Sequence, residues 1–153
     1  MAERAPTLLV IEDASDQAIL VGVAARRATP GLEVHIAEDG QQGIDYLAGI
    51  AALQDPPLTS TPDLVLLDLE MPVVDGFGVL EWIRETLGKP EFPVVVLTAS
   101  PRPDYEERAR ALGATEVCRK PTDLEGFGLA VRSIVTRYIS AGDLIAAHMR
   151  SAG

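Results

Sequence analysis

The chain has 153 residues, 47% of them hydrophobic, which is enough to bury one substantial core and too little to divide between two domains. A formal net charge of −10 opposes contact with nucleic-acid phosphates or an anionic membrane surface. No apolar stretch approaches a transmembrane length or the core of a signal peptide, so a cytoplasmic protein is expected, with no nucleic-acid or membrane partner.

In chain order, short apolar runs alternate with longer segments of helical period. TLLVIE (7–12) reads as a strand, and a helix over 14–28 opens after two carboxylates. LEVHIA (32–37) is a second strand, followed by a helix over 39–50 that starts at DGQQGIDYLAG. AALQDPPLTSTP (51–62), rich in Pro, Ser and Thr, is a loop longer than usual for such a connection, and is read as tolerated slack. DLVLLD (63–68) is a third strand. The helix over 76–88 puts Phe77, Leu80, Ile83 and Leu87 on one apolar stripe. PVVVLTA (93–99) and TEVCRK (115–120) are further strands, with helices over 103–112 and 123–139; Phe127, Val131, Ile134, Val135 and Tyr138 share a face of the last. SAGDLIAAHMRSAG (140–153) has the pattern of a short extra helix from Asp143, with Leu144, Ala147 and Met149 as its apolar contacts. Four of the five strands are nearly continuous in apolar residues, as strands covered on both faces must be. Five strand-helix repeats imply parallel crossovers, hence an α/β doubly wound sheet of five parallel strands with helices on both faces. The single cysteine, Cys118, has no partner for a disulfide or a metal pair and reads as a buried strand residue.

In a parallel sheet of this kind the functional crevice lies beyond the carboxyl ends of the strands. The first strand delivers Glu12 and Asp13 there, the third Asp68, the fourth Thr98, and the fifth Lys120 followed by Pro121. Alone, each has a bland explanation: Asp13 caps a helix, or Asp68 ends a strand in solvent. Together they crowd three acids, which repel one another unless a cation lies among them, and Mg²⁺ suits an all-oxygen set. Lys120 adds a positive charge and Thr98 a hydroxyl, so the pocket favours a group more negative than a carboxylate. Phosphate is the natural candidate, with Asp68 attacking a phosphoryl donor to give an acyl phosphate.

The motifs IED (11–13), LLDLEMPVVDG (66–76), VVLTAS (95–100) and CRKP (118–121) resemble those of response regulator receiver domains, over about residues 6–138. The resemblance implies the sheet order 2-1-3-4-5 of the flavodoxin-like class. It also implies that a histidine kinase phosphorylates Asp68, and that Glu12, Asp13, Asp68 and the backbone carbonyl of Glu70 hold Mg²⁺. Thr98 and Lys120 are then the residues that read the phosphoryl group, and the Lys120–Pro121 bond is cis. One position departs from the pattern. Receivers commonly carry an aromatic residue three places before the lysine, and here that place is Val117, so switching through Thr98, Val117 and Pro121 is expected to lack the usual ring movement.

Residues 1–140 are accordingly expected to form the receiver domain and 141–153 a short extension, with no separate effector domain. Such a chain acts through another protein, through its own association, or as a phosphate store; it accepts a phosphoryl group and loses it slowly, without being a turnover enzyme. Its loop and its ending DLEGFGLAVRSIVTRYI look like single-domain receivers that partner phytochrome-type light-sensing kinases. The apolar and aromatic width of the last helix, including Ile139, predicts a homodimer through the fourth helix, fifth strand and fifth helix. Two rivals use related parts. A haloacid-dehalogenase-like phosphatase needs a second aspartate two places after the nucleophile, where this chain has Glu70. A flavodoxin-like cofactor protein needs a phosphate loop after the first strand, where EDASDQ is acidic.

Overall fold

The computed structural model describes residues 5–51, 61–99 and 102–140. Its strands are β1 (Thr7–Ile11), β2 (Glu33–Ala37), β3 (Leu64–Asp68), β4 (Val94–Thr98) and β5 (Glu116–Arg119). They alternate with helices α1 (Ser15–Ala28), α2 (Gly40–Ala51), α3 (Gly76–Thr86), α4 (Pro103–Ala111) and α5 (Leu124–Val135). All strand pairs are parallel, in the order β2-β1-β3-β4-β5. The order reverses between β1 and β3, and the crevice of a doubly wound sheet opens at that point.

Two-residue periodicity sorts the strand side chains onto the two faces of the sheet. Leu8, Val10, Leu64, Leu66, Val95 and Leu97 pack on one side with α1 and α5. Leu9, Ile11, Val65, Leu67, Val94 and Val96 pack on the other with Leu47 of α2, Phe77, Leu80 and Ile83 of α3, and Ala109 of α4. Each buried Leu, Ile or Val contributes about 1.5–3 kcal/mol relative to exposure, which is why these runs hold no polar residue until they end.

Every residue of β1, β3 and β4 is buried. Apolar continuity overstates β2, which is an edge strand with Ile36 44% exposed, because only β1 flanks it. The segment read as one helix over 123–139 is α-helical to Val135 and continues as a π-helical turn over Thr136–Ser140. That wider turn coincides with burial of Ile139 in the core and with the Tyr138 hydroxyl donating to Glu116 on β5 at 2.6 Å.

Of the residues expected to give α5 its surplus apolar face, Phe127, Val131, Ile134, Val135 and Ile139 are buried against the sheet and Tyr138 is half-buried. The apolar side chains that α5 leaves in solvent are Leu124 and Leu129, and Leu124, Leu129 and Val23 of α1 line one groove. Most of the 51–62 loop and the 141–153 extension lie outside the described residues. Among the described residues no helix is long and apolar enough to cross a membrane.

Candidate functional site

Backbone hydrogen bonds carry the strand ends into the crevice. The Glu12 N–H donates to the Ala37 carbonyl at 3.0 Å, and the Lys120 N–H donates to the Thr98 carbonyl at 2.8 Å, so each residue continues its ladder one step past the strand. Asp68 is the last residue of β3, and the Leu69 carbonyl accepts from the Gly76 N–H at 3.0 Å, which pins the start of α3 beside it. A side chain at Gly76 would collide with the Asp68 carbonyl oxygen and lie 2.7 Å from the Leu69 Cα, so only glycine permits this approach. Asp75 caps α3 by accepting from the Gly78 N–H at 2.9 Å.

The predicted residues converge. Carboxylate oxygens of Glu12, Asp13 and Asp68 lie within 4.8 Å of one another. Lys120 donates from Nζ to Glu12 Oε1 at 2.9 Å and lies 3.5 Å from Asp68 Oδ1. Glu12, Asp68 and Thr98 are buried, whereas Asp13 faces solvent. Asp13 is not consumed as a helix cap, since the N-cap of α1 is Ala14, which makes no side-chain cap bond. Glu70 is exposed; its N–H points at Asp68 Oδ1 across 3.4 Å, too long for a strong bond. A groove of about 600 Å³ lined by Glu12, Asp13, Ile19, Ile36, Asp39 and Pro72 opens the cluster to solvent.

Three carboxylates face one ammonium, and burial makes that imbalance costly. The cost falls on Glu12. Burial, then its hydrogen bond with Asp68 and that group's charge, push its pKa up to about 7, against the opposing pull of Lys120. Its Oε2 is buried without a hydrogen-bond partner among the described residues. An orphaned buried carboxylate oxygen, two further carboxylates within reach and an all-oxygen donor set are what a hard divalent cation requires.

Val117 lies opposite Val96 in the β4–β5 register and packs half-buried on the α4 side of the sheet, while Pro121 is half-buried beyond Lys120. Cys118 is half-buried, and burial followed by the neighbouring Glu116 carboxylate pushes its thiol up to about 11, which leaves it protonated and unreactive.

Two features escaped the sequence reading. Gln17 Oε1 accepts from Lys120 Nζ at 2.8 Å, across 103 residues of chain. The available signal was a glutamine in the first turn of a helix whose N-cap, Ala14, offers nothing for it to complete as a capping box. Val73, in the loop between Asp68 and α3, has φ +68°, a left-handed conformation that is strained for a β-branched residue. Nothing in MPVVDG announces it.

Residues 8–132 match the profile of the response regulator receiver domain. The chain is 33% identical over 127 residues to the probable methanogenesis regulatory protein FilR2 of Methanothrix harundinacea, a match covering 83% of this chain and 79% of that protein. It superposes on the phosphorylated cyanobacterial phytochrome response regulator RcpA with a TM-score of 0.77 and 28% identity, covering 90% of this chain and 96% of that one. For the Mn(2+)-bound form of response regulator Rcp1 the TM-score is 0.75 and the identity 27%, over 86% of this chain and 92% of that one. The chain spans about half the length of several other curated relatives it matches.

Proposed function

The chain belongs to the response regulator receiver domain family, and we propose that within a two-component system it takes a phosphoryl group from a histidine kinase onto Asp68. The observation that carries this reading is the meeting of three strand ends at one point, with Lys120 Nζ 2.9 Å from Glu12 and 3.5 Å from Asp68. In the transfer, an Asp68 carboxylate oxygen attacks phosphorus in line, the bond from phosphorus to the donor breaks, and the donor leaves with that electron pair. Lys120 stands ready to offset charge on the phosphoryl oxygens, and Thr98 to hydrogen-bond one of them.

Glu12, Asp13, Asp68 and the Glu70 carbonyl are the residues we assign to Mg²⁺. Bound there, the ion supplies positive charge against the acid cluster and the incoming phosphoryl group. Support comes from the orphaned Glu12 oxygen and the 4.8 Å grouping of carboxylates. Since Asp68 keeps what it receives until the acyl phosphate hydrolyses, the stoichiometry is one phosphoryl group per chain, without turnover of a separate substrate.

The likeness to RcpA over 90% of this chain supports a phytochrome-type light-sensing kinase as donor. We place the encounter in the cytoplasm and assign no nucleic-acid or membrane contact, given a net charge of −10. Residues 1–140 are taken as the receiver and 141–153 as an extension of it. A homodimer through α4, β5 and α5 stays within the proposal, with Arg132 and Arg137 as the cations that would pair with acids of a second copy. Arg137 is held by Glu116 of its own chain at 2.9 Å and must re-pair to bridge two copies. The deciding experiment is a phosphotransfer screen against histidine kinases, with Asp68→Asn as control. Labelling of the wild type at Asp68 supports the reading, and labelling that persists in Asp68→Asn refutes it.

A further inference from the structure

Lys120 holds three donor hydrogens and has three oxygens around it: Gln17 Oε1 at 2.8 Å, Glu12 Oε1 at 2.9 Å and Asp68 Oδ1 at 3.5 Å. The shortest contact goes to the one neutral acceptor, and the longest to the carboxylate that is to carry phosphorus. The contacts to Gln17 and Glu12 are hydrogen bonds, whereas that to Asp68 is an ion pair, so these two bonds hold the ammonium back from Asp68. A phosphoryl oxygen on Asp68 draws the ammonium toward itself, at the expense of one of the two acceptors that hold it back.

Charge selects which. The Glu12 carboxylate and the phosphoryl oxygens are anionic acceptors, to which an ammonium bonds more strongly than to an uncharged amide. Gln17 is thus the acceptor given up. Among the described residues its side chain bonds Lys120 and completes no cap of α1. It is half-buried and borders a cleft of about 280 Å³ shared by Asp16, Leu20, Pro121 and Leu124, into which a released amide can turn.

We propose that Gln17 is a positioning residue for phosphoryl transfer, which holds Lys120 in the unphosphorylated protein and is released by it when Asp68 is phosphorylated. This rests on Asp68 being the phosphoacceptor. Two consequences follow from the geometry. Gln17 opposes the reaction by stabilising its starting state, and the first turn of α1 changes the polar group that it presents whenever Asp68 is modified. The phosphorylation state is thereby written onto a helix face that does not itself touch the phosphoryl group.

The test uses the full chain with acetyl phosphate as donor; acetate leaves as Asp68 gains the phosphoryl group, and labelling is followed by intact mass. Gln17→Leu, which keeps bulk but removes the acceptor, is expected to label about tenfold faster, the order of one hydrogen bond to a charged group. Gln17→Glu, which gives Lys120 an anionic acceptor to keep, is expected to label about tenfold slower. A purely structural role cannot give opposite signs in variants of equal melting temperature. The second measurement needs no variant to fold beyond assignment: the side-chain amide signal of Gln17, read by NMR, shifts when beryllium fluoride occupies Asp68 as a phosphoryl mimic. Equal labelling rates in all three proteins, or a Gln17 signal that stays put while the Glu70 backbone signal moves, overturns the proposal. If wild type is not labelled at Asp68 at all, the receiver reading itself fails and this proposal falls with it.

Discussion

Raising the pH from 5.5 to 7.5 should load the acid cluster with Mg²⁺, and the structure sets how steeply. Glu12 has a pKa of about 7 in the folded chain against an ordinary 4.5, chiefly because it is buried and secondarily because Asp68 lies against it. The raised pKa corresponds to about 3 kcal/mol by which the fold disfavours ionised Glu12. The sign follows from linkage. For a carboxyl whose folded pKa is raised, the contribution to stability is fully present below pH 4.5 and is lost as pH rises through about 7. The metal-free protein therefore becomes less stable across this window on account of Glu12. Mg²⁺ requires the ionised carboxylate, so protons compete with it below pH 7 and scarcely above. The ionised fraction rises from roughly one in thirty at pH 5.5 to about three in four at pH 7.5, which predicts about a twentyfold gain in Mg²⁺ affinity. Titration calorimetry at four pH values measures it, and melting temperatures with and without Mg²⁺ give an independent reading, the metal-induced rise growing with pH. Glu12→Gln keeps an oxygen for Lys120 but has no proton to lose; its Mg²⁺ affinity should be weaker and flat with pH. A flat wild-type profile, or an unchanged slope in Glu12→Gln, would falsify the assignment of the titrating group.

Asp68→Asn should retain its fold, because the amide matches the carboxylate in shape, and should lose phosphorylation by acetyl phosphate to below detection; intact mass spectrometry checks it. Gly76→Ala should destabilise the protein by about 1–3 kcal/mol in urea unfolding and weaken Mg²⁺ binding, because its Cβ meets the backbone of Asp68 and Leu69. Ile134→Asp should unfold the chain rather than divide a dimer: Ile134 is 2% exposed, and loss of its side chain alone costs about 2–5 kcal/mol before the buried charge is counted. A folded Ile134→Asp monomer by circular dichroism and light scattering would show that α5 does not pack as described.

The sheet was legible because strands covered on both faces must be apolar throughout, and Leu64 to Leu67 or Val94 to Leu97 allow no other placement. The site was legible for the complementary reason. A carboxylate, a hydroxyl or a lysine at the end of such a strand breaks the pattern, and breaks that recur at the same end of successive strands have a common cause. The sequence was misleading where composition had to stand in for direction. On α5 the apolar residues looked too numerous for one stripe, yet the sheet with α1 covers Phe127, Val131, Ile134, Val135 and Ile139, helped by a π-helical turn that no local signal foretold. Gln17 was invisible because its meaning comes from Lys120, and no periodicity links residues so far apart in sequence.

The absence of an aromatic residue at position 117 places more weight on what lies around it. Val117 is held between β4 and the α4 side of the core, and a short branched side chain has few alternative rotamers with which to report a change at Thr98. On the other flank, Glu116 accepts from the Tyr138 hydroxyl at 2.6 Å and from Arg137 Nη1 at 2.9 Å, and the tyrosine bond is the leading cause of its lowered pKa. These bonds clamp β5 to the π-helical end of α5 and commit Glu116, Arg137 and Tyr138 to one another. Lys120 lies four residues beyond Glu116, at the opposite end of β5, and turns away from the clamp toward Gln17 on α1. A change of partner at Lys120 thus reaches α1 by one hydrogen bond, whereas to reach the end of α5 it must displace a strand paired to β4 and bonded through Glu116 to Arg137 and Tyr138. If Asp68 is the phosphoacceptor and Gln17 is released as proposed, the first helix is the face expected to respond first.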